Sequence, residues 1–159
     1  MPTDCIPFRD TNYFSSLICD YLEGSKPLEA FYNRFPSLEN FKGQIVEKQK
    51  SFSAESRTVL VSSLKAQYKN IQKSELTKQH IESLKLDNTF TVTTGHQLNI
   101  FTGPLYFLYK IISTINLCKQ LKSSYPESNF VPLYWMATED HDFDEINYFN
   151  FRDNLCLWI

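Results

Sequence analysis

The chain has 159 residues, enough for one domain with a sizeable core and too few for two full-sized ones. Its 16 Lys and Arg against 18 Asp and Glu leave a net charge of −2, so no global basic field points to nucleic acid and no acidic excess points to disorder. Hydrophobic content of 42% with 15% aromatics suits a folded globule, and the 4 glycines and 7 prolines exclude collagen-like or linker sequence.

No apolar run is long enough for a membrane span, and no charged-then-apolar amino terminus marks a signal peptide. The four cysteines, Cys5, Cys19, Cys118 and Cys156, form no CxxC pair and have no histidine at ligand spacing, so reduced thiols in a cytoplasmic protein are expected. Cys118 falls in an apolar helical stretch and reads as a small core residue.

In chain order, Asn12 to Leu22 reads as a short helix ended by Gly24, and Pro27 and Pro36 bracket a second piece, Leu28 to Arg34. Between Lys42 and Lys85 nine Lys or Arg face four Glu, which reads as the solvated side of amphipathic helices rather than a nucleic-acid surface. Phe41 and Ile45, then Val59, Leu60, Leu64, Tyr68 and Ile71, then Leu76, Ile81 and Leu84 recur at helical offsets. Ser53, Ser56 and Arg57 suit the start of one helix, and Lys73-Ser74-Glu75 a joint between two.

Near residue 88 the texture changes, and 14 of the 24 aromatics lie between Phe90 and Trp158. Two domains are therefore expected, a mainly helical region over 1–88 and an α/β region over 89–159. Thr89 to Thr94 is β-branched and aromatic, a strand. A turn from Gly95 to Gly103 follows, and Pro104 suits the first turn of a helix running to about Lys122. The first half of that helix is apolar nearly all round, which predicts deep packing. Phe130 to Met136 reads as a buried second strand, although Pro132 argues against a fully laddered central position. Strand, helix and strand make a βαβ crossover with a parallel pair.

Ligands of open α/β sheets bind beyond the carboxyl ends of the strands, and two residue clusters fall there. The first is Thr94-Gly95-His96-Gln97, continuing to Thr102, Gly103 and Pro104. A glycine permits close backbone approach, and the following helix offers unpaired N–H groups to an anion. Neither a Walker loop nor GxGxxG is present, so an ordinary βα loop is an equally good reading of the residues alone. The second cluster, Glu139-Asp140-His141-Asp142-Phe143-Asp144-Glu145, packs five acids and one histidine into seven residues. Asp140 or Asp142 could orient His141 as a base, the acids could hold Mg²⁺, or the run is a solvated loop capping a short helix.

The strings TGHQLNIFTGPLYFLYKIISTINL (Thr94 to Leu117) and VPLYWMATEDHDFDEINYF (Val131 to Phe149) resemble the bacillithiol biosynthesis cysteine-adding enzymes, a family of cysteine ligases. The resemblance implies amino-terminal helices followed by the first βαβ part of a Rossmann-like, nucleotidylyltransferase-type domain. It implies a cytoplasmic enzyme that joins L-cysteine to the amine of glucosaminyl-malate in the last step toward bacillithiol. ATP would activate the carboxylate, with Mg²⁺ accompanying the nucleotide and no tightly bound metal. Full-length members are expected to form homodimers, with neither nucleic acid nor membrane as partner.

On that resemblance His96, Asp140 and His141 are the catalytic candidates, Thr94, Gly95, Gln97, Thr102 and Gly103 would bind nucleotide, and Glu139 and Asp142 would bind substrate. Many members carry Gln where His96 stands, which favours binding over obligatory acid–base work there. The chain closes on the apolar run Leu155 to Ile159, which should be paired inside a sheet. That end and the length of family members make a truncated domain the expectation. Two other readings stay open, a non-catalytic binding module and a metal-dependent hydrolase built on the acidic run.

Overall fold

A computed structural model describes residues 4–97, 99, 103–139 and 143–158, apart from the side chain of Glu145. The chain divides into two compact units, Met1–Gln44 and Ile45–Ile159.

In the first unit a 3-10 turn at Phe8–Thr11 ends on Asn12 in the left-handed region (φ 57°), so helix α1 starts later than the sequence suggests, at Ser16–Leu22. Ser15 caps it, its hydroxyl accepting from the Ile18 N–H, and Gly24 (φ +68°) closes it with Gly24 N–H on the Tyr21 carbonyl. Arg9 forks onto Asp20 (2.9 Å) and Glu23 (2.8 Å), all three exposed. The expected piece at Leu28 to Arg34 is a 3-10 helix at Lys26–Phe31, where Pro27 occupies the first turn. Tyr21, Tyr32 and Phe35 stack edgewise with centroids 5.4 to 6.4 Å apart.

Helix α2 (Phe41–Ser51) buries no residue, so the Phe41 and Ile45 periodicity marks no core face. Helix α3 (Ala54–Gln67) is capped by Ser53, whose hydroxyl accepts from the Ser56 N–H, and α4 (Glu75–Ser83) by Ser74, which accepts from Thr77. The core face of α3 carries Arg57, Leu60, Val61 and Leu64, offsets of three and four, while Val59 points out. Val61 packs with Ile81 and Leu84 and with Val131 of the second strand, and Leu60, Leu64 and Tyr68 flank them.

Strand β1 (Thr89–His96) pairs in parallel with β2 (Asn129–Met136), in register from Thr89↔Asn129 to His96↔Met136, and α5 (Leu105–Ser124) crosses between them. Pro132 is accommodated because β2 is laddered on one side only among the described residues. Only Val131 of β2 is fully buried, so the strand is less enclosed than expected.

The deep packing expected for the first half of α5 is not found. Thr114, Cys118 and Leu121 are buried, whereas Leu105, Tyr109 and Ile112 are exposed by half or more. A pair of strands about 5 Å apart is narrower than a helix about 10 Å across, so the described sheet covers one stripe of it. The four cysteines are free thiols, and burial pushes the Cys118 thiol up to about 11.

A one-turn helix α6 (Phe143–Ile146) leads into a hairpin of β3 (Tyr148–Phe151) and β4 (Asn154–Leu157). Leu155 to Leu157 of the apolar closing run are therefore paired, but antiparallel in a two-stranded sheet whose aromatic side chains stay largely exposed, and Ile159 lies outside the described residues. Arg152 (φ 48°) and Asp153 (φ 63°) form its two-residue turn, which matches the right-handed twist of a hairpin.

Candidate functional site

The amino ends of β1 and β2 are bound down tightly. Arg57 Nη1 donates to the carbonyls of Leu84 (3.1 Å) and Thr89 (2.9 Å), and Nη2 to that of Asp87 (3.1 Å). Lys122 Nζ reaches the carbonyls of Pro126 (2.7 Å) and Ser128 (3.0 Å) and Asn129 Oδ1 (3.1 Å). The carboxyl ends of the strands lie at the other edge, where Thr94, Gly95, His96 and Gln97 stand at the end of β1 and Glu139 follows β2.

β1 continues through Gly95 and His96 instead of turning at Gly95. Gly95 has no positive φ; it is needed for close approach, since a Cβ would stand 2.7 Å from the Trp135 carbonyl oxygen. Gly103 does carry a positive φ (+62°), and a Cβ there would meet the Asn99 side chain at 2.6 Å. Thr94 is half-buried opposite Tyr134 in the ladder.

His96 is half-buried and held on both ring nitrogens. Nε2 lies 2.6 Å from the Tyr106 hydroxyl in the first turn of α5. Nδ1 lies 3.1 Å from the Gln97 carbonyl and 2.9 Å from Asn99 Nδ2, which itself donates to the Gln97 carbonyl (2.9 Å). Both neutral tautomers are served. With Nδ1–H on the Gln97 carbonyl, Nε2 accepts from Tyr106; with Nδ1 accepting from Asn99, Nε2–H donates to the Tyr106 oxygen.

Phe107 packs edge-on against His96 (5.9 Å) and Tyr134 (5.6 Å), and the Tyr134 hydroxyl donates to the His96 carbonyl at 3.2 Å. Burial raises the Tyr134 phenol above its ordinary range, which keeps it a donor. Lys110 Nζ donates to the Gly95 carbonyl at 2.5 Å.

Beyond β2, Glu139 is exposed and accepts from Trp135 Nε1 at 3.4 Å. Thr94, Gly95, His96, Gln97, Gly103 and Glu139 are thus all located, while Thr102, Asp140, His141 and Asp142 lie outside the described residues. Tyr106, Lys110, Asn99 and Tyr134 were missed by sequence reasoning, which counted Tyr106 among the apolar residues of a deeply packed helix. Their one available signal is the i, i+4 spacing of Tyr106 and Lys110 at the start of a helix that follows a strand.

The chemistry of this end suits an anionic ligand. Pro104 supplies no side-chain acceptor to the first N–H groups of α5, a 20-residue helix whose dipole end is positive. A nucleotide phosphate or a carboxylate fits that donor set.

A parallel βαβ unit with ligand-type residues at the carboxyl ends of its strands is a Rossmann-like arrangement. The family model for bacillithiol biosynthesis BshC, N-terminal Rossmann-like domain, matches residues 1–156, and the chain belongs to that family. It is 63% identical over 158 residues to "Putative cysteine ligase BshC" of Flavobacterium johnsoniae, covering 99% of this chain and 30% of the relative. The protein of the same name from Cytophaga hutchinsonii is 44% identical over 153 residues, 96% of this chain and 29% of the relative. That from Anoxybacillus flavithermus is 43% identical over 133 residues, 83% of this chain and 23% of the relative. The chain thus spans about 30% of the length of the relatives it matches most fully.

Proposed function

We propose that this chain provides the amino-terminal part of a cytoplasmic cysteine ligase that joins L-cysteine to the amine of glucosaminyl-malate, the last step of bacillithiol biosynthesis. The observation that carries the reading is the family match over residues 1–156. A carboxylate does not form an amide unaided in water, and ATP, with Mg²⁺, supplies its activation when bound. Thr94, Gly95, Gln97, Thr102 and Gly103 would hold the nucleotide, with the start of α5 adding positive charge.

The attacking amine must lose a proton as the C–N bond forms. His96 offers either ring nitrogen through the two tautomers described above, and Asp140 and His141 are the acceptors suggested by sequence. Glu139 and Asp142 would bind the ammonium or thiol of a substrate. The protein at full natural length would act as a homodimer on these small molecules. Neither nucleic acid nor membrane is part of this reading. Among the described residues no helix is long and apolar enough to cross a membrane.

The test is product formation. The protein at full natural length is supplied with L-cysteine, glucosaminyl-malate and ATP, and the amide is sought by mass spectrometry beside His141→Ala and His96→Ala variants. ATP-dependent amide that falls at least tenfold in one variant supports the reading; its absence from the wild type refutes it. The share of the relatives covered, about 30%, favours a second reading for these 159 residues by themselves, a binding module without turnover. Activity of the isolated 159 residues would dispose of that reading.

A further inference from the structure

The His96 ring is supported from two sides, and both supports lead to one ammonium. Lys110, in the second turn of α5, is half-buried. Its Nζ donates to the Gly95 carbonyl and so fixes the peptide plane that leads into His96. The same atom lies 5.9 Å from the centre of the Tyr106 ring one helical turn earlier, and the Tyr106 hydroxyl is the group on His96 Nε2.

Two other buried or bridging cations show what a structural tie looks like here. Arg57 serves three carbonyls and Lys122 three oxygens, both at the amino ends of the strands. Lys110 has one oxygen acceptor and a ring face, and among the described residues no carboxylate lies within ion-pair distance of it. An ammonium carries three donors, so its hydrogen-bonding capacity is underused by the fold.

We propose that Lys110 is the positioning residue of this site, bracing the Gly95–His96 peptide and the Tyr106 ring together so that His96 is presented in one orientation. Either tautomer of His96 keeps its partners only while the Tyr106 hydroxyl stays on Nε2 and the Gln97 carbonyl and Asn99 stay on Nδ1. With Lys110 gone, the peptide and the Tyr106 ring move independently and that hold on the imidazole is lost. The proposal concerns the ligand-free protein and does not depend on which reaction the site serves.

The test is ¹⁵N-histidine NMR of the ligand-free protein at full natural length, with His96 assigned by its loss in His96→Gln. Wild type should show a His96 ring proton that is hydrogen-bonded and protected from exchange. Lys110→Met, which keeps the stem but no donor, should speed exchange of that proton at least tenfold and shift the His96 nitrogens. Lys110→Arg, able to donate and to lie over the ring, should restore the wild-type pattern. An unchanged His96 spectrum in Lys110→Met overturns the proposal. If Lys110→Met does not fold, Lys110→Gln decides: it carries no charge over Tyr106 and ends one bond short of the Gly95 carbonyl, and a wild-type pattern there is equally contrary.

A functional arm separates this from the ligase reading. Wherever turnover is measurable, Lys110→Met should lower kcat about tenfold or more while KM for cysteine moves little, since misplacement of a reacting group costs rate rather than affinity. Loss of affinity with kcat intact would make Lys110 a ligand-binding residue and contradict the positioning role. A protein with no ligase activity at all would sink the ligase reading and leave the NMR outcome to decide the role of Lys110.

Discussion

Arg57 Nη1 donates to the carbonyl of Thr89 at 2.9 Å, joining a helix of the core to the first residue of β1 through a guanidinium only 4% exposed. The same group closes the Leu84 carbonyl at the end of α4 and the Asp87 carbonyl in the connection to β1, and it lies 5.4 Å over the Phe52 ring. Its Nε is buried without a partner. Replacement by Met leaves three carbonyls short of a donor. We expect Arg57→Met to cost about 3 kcal/mol, from charged hydrogen bonds worth roughly 1.5–3 kcal/mol each and partly replaced by water. Arg57→Lys recovers only part, because a point charge cannot serve three divergent carbonyls. Urea unfolding of the three proteins checks this; equal midpoints would show that the clamp contributes nothing.

That clamp also marks the limit of what could be read from the residues. The strand over Thr89–Thr94, the helix after Pro104 and the caps at Ser53 and Ser74 were legible because β-branching, proline and serine act locally. Arg57 was placed at a helix start, yet it lies on the core face, since nothing local says that a guanidinium will find three carbonyls about 30 residues away. The α5 periodicity named the residues fit for burial without saying what would cover them. The β3–β4 turn was invisible because Arg152 and Asp153 adopt positive φ with none of the usual Asn-Gly signal. At the candidate site, Gly95 was read as a turn and as close approach to a ligand, when the observed need is room for the Trp135 carbonyl. Tyr106 and Lys110 became visible only when α5 was laid beside β1.

Gly95→Ala follows from that close approach. The added methyl would stand 2.7 Å from backbone, which cannot swing aside as a flexible side chain would. The carboxyl end of the β1–β2 ladder should open, with a cost of about 1–3 kcal/mol. Amide exchange at residues 94–96 should quicken while that at Thr89 and Phe90 stays slow. Unchanged exchange at 94–96 would show that the ladder tolerates the methyl.

The Cys118 thiol gives a pH dependence of definite sign. Burial raises it from 9.0 to about 11, so the unfolded chain loses this proton first. The contribution is fully present below pH 9 and is lost as the pH climbs through about 11. Stability of the wild type relative to Cys118→Ala should therefore fall between pH 9 and pH 11, measured as the difference in denaturant midpoint. A constant difference across that window would contradict the burial argument.

The outer stripe of α5 predicts solution behaviour. Leu105, Leu108, Tyr109, Ile112 and Ile115 recur at offsets of three and four, and all are exposed. Contiguous apolar surface of that kind drives association. The 159 residues prepared alone should self-associate in sedimentation, and the pair Tyr109→Lys with Ile112→Lys should shift them toward monomer. Equal sedimentation of the two proteins would remove the stripe as the cause.

On the proposed reading, the carboxyl end of the β1–β2 pair, with the start of α5, would form the nucleotide-binding part of a cysteine ligase. Hydrogen–deuterium exchange of the protein at full natural length, with and without ATP and Mg²⁺, tests it most directly. Residues 94–97 and 103–110 should be protected when ATP is bound, with the Arg57 clamp at the far end of the strands unaffected. ATP binding that leaves 94–110 unprotected, or no binding at saturating ATP, would contradict it.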